Sequence, residues 1–183
     1  MVADDLTVAG SRGLRCLRAL NRLASHYLPD LVYGANDGII TTFAVVSGVV
    51  GASLSERVIV ILGFANLVAD GFSMGASNYL ARRSHPEDDL ADRRDALRHG
   101  LATIVGFVVA GVLPLVAYVL PLAPGVRFPV SLALAAAALF AVGAARTFVT
   151  KRGFFRSGVE MLLVGSLAAV VAFAIGALAA SFA

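Results

Sequence analysis

The sequence is short of charge and of cysteine, and both shortages limit what the chain can be. Only 15% of its 183 residues are charged, whereas soluble domains carry about 25%, so too few polar side chains exist to cover a water-soluble globule. The single cysteine, Cys16, excludes an internal disulfide and a cysteine metal cluster. His26, His85 and His99 all lie outside the long apolar segments. No nucleophile with a histidine base is therefore available there, and the chain is not expected to be an enzyme.

The sequence is rich in long apolar segments. A hydrocarbon core about 30 Å thick is crossed by roughly 20 apolar residues of helix, and helices satisfy their own backbone hydrogen bonds there. Five segments are long enough, which predicts an all-α integral membrane protein with one five-helix transmembrane domain over residues 30–183. The predicted spans are residues 31–53, 58–81, 101–123, 128–149 and 158–182.

The basic residues alternate in number between the segments that connect the predicted spans. Thirteen of the fifteen lie before span one, between spans two and three, or at the connection of spans four and five, where Arg146 is inside the end of span four. Arg57 and Arg127 alone occupy the other connections. Because cytoplasmic loops carry the excess of Lys and Arg, the N-terminus is predicted to be cytoplasmic and the C-terminus outside. Membrane orientation thus accounts for the basic balance without a nucleic-acid partner.

Residues 1–29 are predicted to form a separate cytoplasmic segment. At 100° per residue, residues 12–28 place leucines on one face and Arg15, Arg18 and Arg22 on the opposite face. This pattern predicts a short amphipathic helix in contact with lipid at the inner membrane surface, ended by Pro29.

Three carboxylates, Asp37, Asp70 and Glu160, fall within the predicted spans. An Asp at the centre of a membrane helix costs about 2.5–3.5 kcal/mol on insertion scales, so such residues indicate function. At about 1.5 Å per residue, Asp37 and Met74 lie level, roughly 10 Å from the cytoplasmic surface. Asp70 lies deeper, level with Thr41.

The polar residues of span two recur at i, i+4, i+7, i+8 and i+11, which places them in one stripe: Asn66, Asp70, Ser73, Met74 and Ser77. The glycine pairs Gly34/Gly38 and Gly71/Gly75 let helix backbones approach closely. Together they predict a polar, tightly packed axis between spans one and two. A structural role stays open, in which Asp side chains bond to Asn or Ser to hold helices together and Met74 is ordinary packing.

This axis offers carboxylate, amide and hydroxyl oxygens together with one thioether. Oxygen ligands alone suit Mg²⁺ or Ca²⁺, whereas the thioether of Met74 favours a transition metal. Buried carboxylates also exchange protons when a cation arrives or leaves, so these groups suit the exchange of a divalent metal for protons. Glu160 lies near the cytoplasmic end of span five, where we expect it to pair with Arg156 or to reach the interface.

Three stretches of the sequence resemble the vacuolar iron transporter family. They are residues 33–43 (YGANDGIITTF), 63–80 (GFANLVADGFSMGASNYL) and 156–165 (RSGVEMLLVG). The resemblance implies a homodimer whose ion pathway lies between protomers and is lined by spans one and two. It also implies export of Fe²⁺, and of Mn²⁺ or other divalent ions, from the cytoplasm in exchange for protons, with no permanently bound cofactor.

The family's transport-site Asp and Met match Asp37 and Met74, and both are expected to bind the metal. Asp70 is expected to be a second ligand or the proton carrier, and Asp30 to gather cations at the cytoplasmic mouth. The other residues expected to line the pathway or to assist are Asn36, Thr41, Asn66, Ser73, Asn78 and Glu160.

One region departs from the family pattern. Better-known members carry a long cytoplasmic insertion between spans two and three, with glutamates that bind metal before transport. Here the connection is residues 82–100, a predicted short polar helix-turn with solvated charges. Its acidic residues are Glu87, Asp88, Asp89, Asp92 and Asp95. A role for them in metal loading stays open.

Two other functions fit the same residues. One is a non-transporting membrane sensor or scaffold that keeps the transporter fold, and the other is a transporter of a different cation. Arginine outnumbers lysine 14 to 1 and alanine is abundant, which is typical of GC-rich prokaryotic genomes. That composition indicates a prokaryotic plasma membrane.

Overall fold

The computed structural model of the chain describes residues 3–84, 90–147 and 153–182, and every regular element within these ranges is a helix. The side chains of residues 12–25, on which the predicted amphipathic pattern depends, lie outside the described part. The helices of the described ranges confirm the prediction of an all-α membrane protein. The helices are α1 (Ala3–Gly51), α2 (Glu56–Arg83), α3 (Leu90–Gly111), α4 (Leu113–Val119), α5 (Pro124–Ala145) and α6 (Phe154–Ala180).

Three of these helices, α2, α5 and α6, are long and apolar enough to cross a membrane. Taken together, helices α3 and α4 are also long and apolar enough to cross a membrane, and the chain bends by 43° where they join. The described part of α1 is long enough to cross a membrane but is less apolar than these helices. Asn36, Asp37 and several glycines lower the mean hydropathy of its second half. The five-span arrangement and the orientation of the termini therefore stay predictions.

Pro29 does not end the first helix, so that prediction is wrong: α1 continues through it. Proline removes one i→i−4 hydrogen bond and normally kinks or breaks a helix. Here tertiary contacts hold the helix on both sides of the proline. The Tyr27 hydroxyl donates to Asp95 (2.9 Å), and Asp30 accepts a hydrogen bond from Asn78 (2.7 Å). These contacts offset the lost backbone bond and keep the chain helical.

Helix α1 is the centre of the bundle and contacts each of the other helices named above. Its residues Ile39, Phe43 and Val46 are buried in the main apolar core. The crossing with α3 is close because Gly38 faces the backbone of Phe107. A Cβ at Gly38 would lie 2.3 Å from the Phe107 carbonyl oxygen. This close crossing fixes α1 against α3 beside the predicted metal ligands.

The bend between α3 and α4 follows from Pro114, which lies in the first turn of α4. Proline has no backbone N–H and clashes with the preceding turn, so a helix bends or breaks there. The carbonyl of Pro114 is not left unpaired, because the buried hydroxyl of Ser131 donates to it over 2.7 Å. That bond attaches the bent segment to α5.

The N-terminal end of α2 is held to the N-terminal end of α5 by contacts of Arg127. Arg127 forms an ion pair with Glu56, and its Nε donates to the carbonyl of Leu122 over 2.9 Å. Glu56 is thus a carboxylate with a structural partner, well separated along α2 from Asp70 and Met74.

Candidate functional site

Asp37 on α1 and Asp70 on α2 lie at the same region of the α1–α2 packing. Both side chains are half-buried, and the two carboxylates are close enough for their charges to interact. Met74 lies one turn beyond Asp70 on α2 and is also half-buried. We call Asp37, Asp70 and Met74 the carboxylate seam. The structure thus brings together the two carboxylates that the sequence placed on neighbouring spans.

Two amide groups beside the seam lack hydrogen-bond partners. Asn36 Oδ1 and Asn66 Nδ2 are buried, and neither has a partner among the described residues. Buried polar side-chain atoms are normally paired, so an unpaired acceptor and an unpaired donor flank Asp37 and Asp70. The Thr41 hydroxyl, in contrast, donates to the backbone carbonyl of Asp37 over 2.9 Å. Its proton is used within α1.

The glycine pairs pack differently from the predicted arrangement. Gly34 on α1 approaches the backbone of Thr103, where an added Cβ would lie 2.2 Å from the carbonyl oxygen. Gly75 on α2 approaches Gly100 and Ile104. Both pairs therefore pack against α3, and the polar axis between α1 and α2 does not depend on glycine contact between those two helices. Helix α3 is the support that holds both α1 and α2.

Asp30 is buried, with 7% of its surface exposed. It accepts hydrogen bonds from Asn78 Nδ2 (2.7 Å) and His99 Nδ1 (2.5 Å), and Arg82 Nη2 lies 3.4 Å away. Burial raises the pKa of the Asp30 carboxyl, but hydrogen bonds from His99 and Asn78 and the charge of Arg82 outweigh it and lower the pKa. Asp30 is thus an engaged carboxylate, and the expectation that it gathers cations at an open mouth does not fit its burial.

Asn78 forms a hydrogen bond with Asp30, and its expected role in assisting transport stays a prediction. Its amide nitrogen donates to Asp30 and to Thr103 Oγ1, each over 2.7 Å. Its amide oxygen accepts from Arg82 Nε over 3.0 Å. One side chain of α2 thereby links α1 and α3 just beyond the seam.

A second polar cluster, which the sequence interpretation missed, lies against Asp30. The Nε2 atoms of His26 and His99 are 3.2 Å apart, and each is 3.3 Å from Asp95 Oδ2. His99 is 3% exposed, whereas His26 lies at the surface. We call His26, Asp95 and His99 the histidine cluster. It joins α1 to α3 across residues that are far apart in sequence.

A sequence signal for this cluster existed. His26 and Asp30 are four residues apart, and so are Asp95 and His99, which places each pair on one face of a helix. The prediction that the charges of residues 82–100 are solvated is wrong for Asp95, because Tyr27, His26 and His99 contact it. Glu87, Asp88, Asp89 and the side chain of Asp92 lie outside the described residues.

Ser73 and Glu160 are the remaining predicted residues. Ser73 is exposed on the outer face of α2. Glu160 Oε1 accepts a hydrogen bond from Arg156 Nε over 3.2 Å, as their i, i+4 spacing predicts. Neither residue contributes to the geometry of the seam or of the histidine cluster.

Fold and site define the class of this chain as an all-helical membrane protein with ionisable groups packed between three of its helices. A model of the VIT family matches residues 28–96 and 84–177. The chain therefore belongs to the VIT family.

Named relatives agree with this assignment. "Vacuolar iron transporter homolog 5" of rice is 29% identical over 163 residues, which cover 81% of this chain and 78% of the relative. "Vacuolar iron transporter homolog 1" of rice is 27% identical over 197 residues, covering 96% and 84%. The "Vacuolar iron transporter" of Plasmodium berghei is 40% identical over 72 residues, covering 39% and 26%. The chain thus spans about a quarter of that Plasmodium protein's length.

Proposed function

We propose that the chain is a divalent transition-metal/proton antiporter that exports Fe²⁺, with Mn²⁺ as a second substrate, from the cytoplasm. The relatives named above carry the words "iron transporter" in their names, which supports a metal-ion substrate. Asp37 and Met74 are the proposed ligands, and Asp70 is a second ligand or the proton carrier.

The observation that carries this proposal is the charge interaction between Asp37 and Asp70, which lie half-buried on two helices of an apolar bundle. Two interacting carboxylates repel each other when both are ionised, and binding of a cation or a proton relieves that repulsion. Replacing a divalent ion by protons leaves such a pair satisfied at each stage. Asn36, next to Asp37 in the sequence, has a buried amide oxygen without a hydrogen-bond partner among the described residues.

The proposed pathway lies at the interface of a homodimer. Helix α2 supports this location because it exposes large apolar side chains next to polar ones on its outer face: Val68 is 65% and Phe72 68% exposed, with Ser73 and Ser77 beside them. The prokaryotic plasma membrane rests on composition alone, since the relatives named here come from rice and Plasmodium.

The test is flux of Fe²⁺ and Mn²⁺ into proteoliposomes under an imposed pH gradient. We expect gradient-dependent flux that Asp37→Ala abolishes. The matched control is Glu56→Gln, which neutralises a carboxylate on α2 that pairs with Arg127 outside the seam, and which should keep most of the flux.

Two results would contradict the proposal. Flux that persists in Asp37→Ala would remove Asp37 from the transport site. No flux of either metal through folded wild-type protein would favour the non-transporting sensor or scaffold.

A further inference from the structure

We infer that the histidine cluster binds one divalent transition-metal ion, separately from the carboxylate seam. His26 lies on α1 and Asp95 and His99 lie on α3, so the ion would cross-link these two helices. The inference depends on the geometry of this cluster and not on the transport function proposed above.

The spacing of the three atoms fits a shared metal ion. Ligand atoms about 2.0–2.2 Å from one ion lie about 2.8–3.6 Å apart when the angles between them are octahedral to tetrahedral. The observed separations are 3.2 Å between the histidine Nε2 atoms and 3.3 Å from each to Asp95 Oδ2. The imidazole rings of His26 and His99 meet at 61° and are not stacked. One ion could therefore lie within bonding distance of all three ligand atoms, and solvent on the exposed side of His26 would complete the coordination.

Neighbouring residues form hydrogen bonds with His99 and Asp95 of the kind that orient the ligands of metal sites. A metal-binding histidine normally gives its other ring N–H to a carboxylate, and a metal-binding carboxylate is itself hydrogen-bonded. His99 Nδ1 lies 2.5 Å from Asp30 Oδ2, and the Tyr27 hydroxyl donates to the second oxygen of Asp95 over 2.9 Å. Both supporting contacts are therefore present.

One protonation state of the cluster leaves its centre short of protons. When His99 is neutral and donates its Nδ1 proton to Asp30, its Nε2 lone pair faces His26 and the Asp95 carboxylate. The three ligand atoms then share at most one proton, carried by His26 Nε2. A bound cation satisfies all three. The rival occupant is an extra proton on His99, which makes the cluster a hydrogen-bonded ion pair with no metal.

The ligand set determines the class of metal. Two imidazole nitrogens and one carboxylate oxygen suit Fe²⁺, Co²⁺, Zn²⁺ and similar ions, whereas Mg²⁺ and Ca²⁺ prefer sets made of oxygen. Two histidines with one carboxylate and open positions are typical of non-haem Fe²⁺ sites. The geometry thus points to a first-row transition metal bound by exchangeable ligands.

The experiment is a Co²⁺ titration of the purified full chain in detergent, followed by the visible d–d absorption of the metal. Asp37→Ala protein is used as the parent, so that the seam is disabled. We expect one Co²⁺ per chain with nitrogen ligands. His26→Ala and Asp95→Asn should each weaken the binding by at least about tenfold. His85→Ala, which removes the remaining histidine, is the matched control and should bind like the parent.

His26 and Asp95 are suitable positions because their side chains are 53% and 44% exposed, so their loss leaves the buried packing intact. Thermal unfolding without metal checks that each variant is folded. Equal Co²⁺ affinity in parent and variants, or no Co²⁺ binding by the folded parent, would overturn the inference in favour of the protonated cluster. Failure of the antiporter proposal would be seen separately, as absent flux in protein with Asp37 intact.

Discussion

Asn78 shows how much of this bundle's polar structure depends on one residue. Its amide nitrogen donates to a carboxylate on α1 and to a hydroxyl on α3, and its oxygen accepts from Arg82. Both acceptors of the amide nitrogen, Asp30 and Thr103, are buried. An amide is well suited here because it offers two donors and an acceptor in one rigid plane.

Replacing this amide should therefore destabilise the protein. Asn78→Leu removes both donated hydrogen bonds, one of them to a charged group, and leaves Asp30 Oδ1 with only the 3.4 Å contact to Arg82. We expect a loss of about 2–4 kcal/mol in the free energy of unfolding, measured by denaturation in detergent. The control is Ser166→Leu at an exposed position of α6, where a change within about 0.5 kcal/mol is expected. Equal losses in the two variants would show that the Asn78 contacts contribute little.

At the scale of the elements, helix α3 is the support for both helices that carry the carboxylate seam. Gly106 on α3 faces the backbone of Leu31 on α1, and an added Cβ would lie 2.3 Å from the Leu31 carbonyl oxygen. A backbone atom cannot move aside as the end of a flexible side chain can. The close spacing of α1 and α3 is thus possible because Gly106 has no side chain.

Gly106→Ala should push these helices apart and cost about 1–3 kcal/mol in the free energy of unfolding, as overpacking does. Gly125→Ala is the matched control, because nothing lies within 4 Å of a Cβ there. Its stability should stay near wild type or rise slightly, since alanine favours helix over glycine. Indistinguishable melting of the two variants would contradict the close-contact explanation.

The helices themselves were largely predictable, since long apolar runs leave few alternatives to helix in a membrane. Their details were not. Proline rules predicted an end at Pro29, where tertiary contacts of Tyr27 and Asp30 keep the helix going. Helices α5 and α6 each begin four residues before the predicted spans, because a helix extends past the residues that its apolar run marks.

The candidate site was predictable only where a charged residue interrupts an apolar segment. Asp37 and Asp70 were visible because carboxylates are rare in such segments. The histidine cluster was missed because its ligands come from two polar stretches 69 residues apart. Only the i, i+4 spacings within each stretch hinted at it.

For the whole molecule, the outer surface agrees with a membrane location. Large apolar side chains are exposed along α6, including Leu163 at 66% and Leu167 at 66%. Soluble monomers rarely expose continuous apolar surfaces of this kind. The open question at this scale is α1, whose hydropathy is lower than that of the other long helices.

Cysteine labelling in intact cells decides whether α1 spans. In a Cys16→Ser background, Ser55→Cys and Ser181→Cys should react with a membrane-impermeant maleimide from outside, and Ser84→Cys only after permeabilisation. All three positions are exposed. A cysteine added before residue 1 should behave like Ser84→Cys if α1 spans. Labelling of that cysteine from outside, together with Ser55→Cys, would reduce the number of spans to four.

The unbroken course of α1 has an electrostatic consequence. Asp30 and Asp37 lie seven residues apart on one helix, so their backbone separation is held near about 10 Å. Unit charges at that distance interact by about 1–2 kcal/mol at an effective dielectric constant of about 20. Neutralising Asp30 is therefore expected to change the attraction of Asp37 for a cation by up to roughly tenfold. Because the continuous helix holds the two charges at a fixed spacing, this dependence requires no movement of the protein.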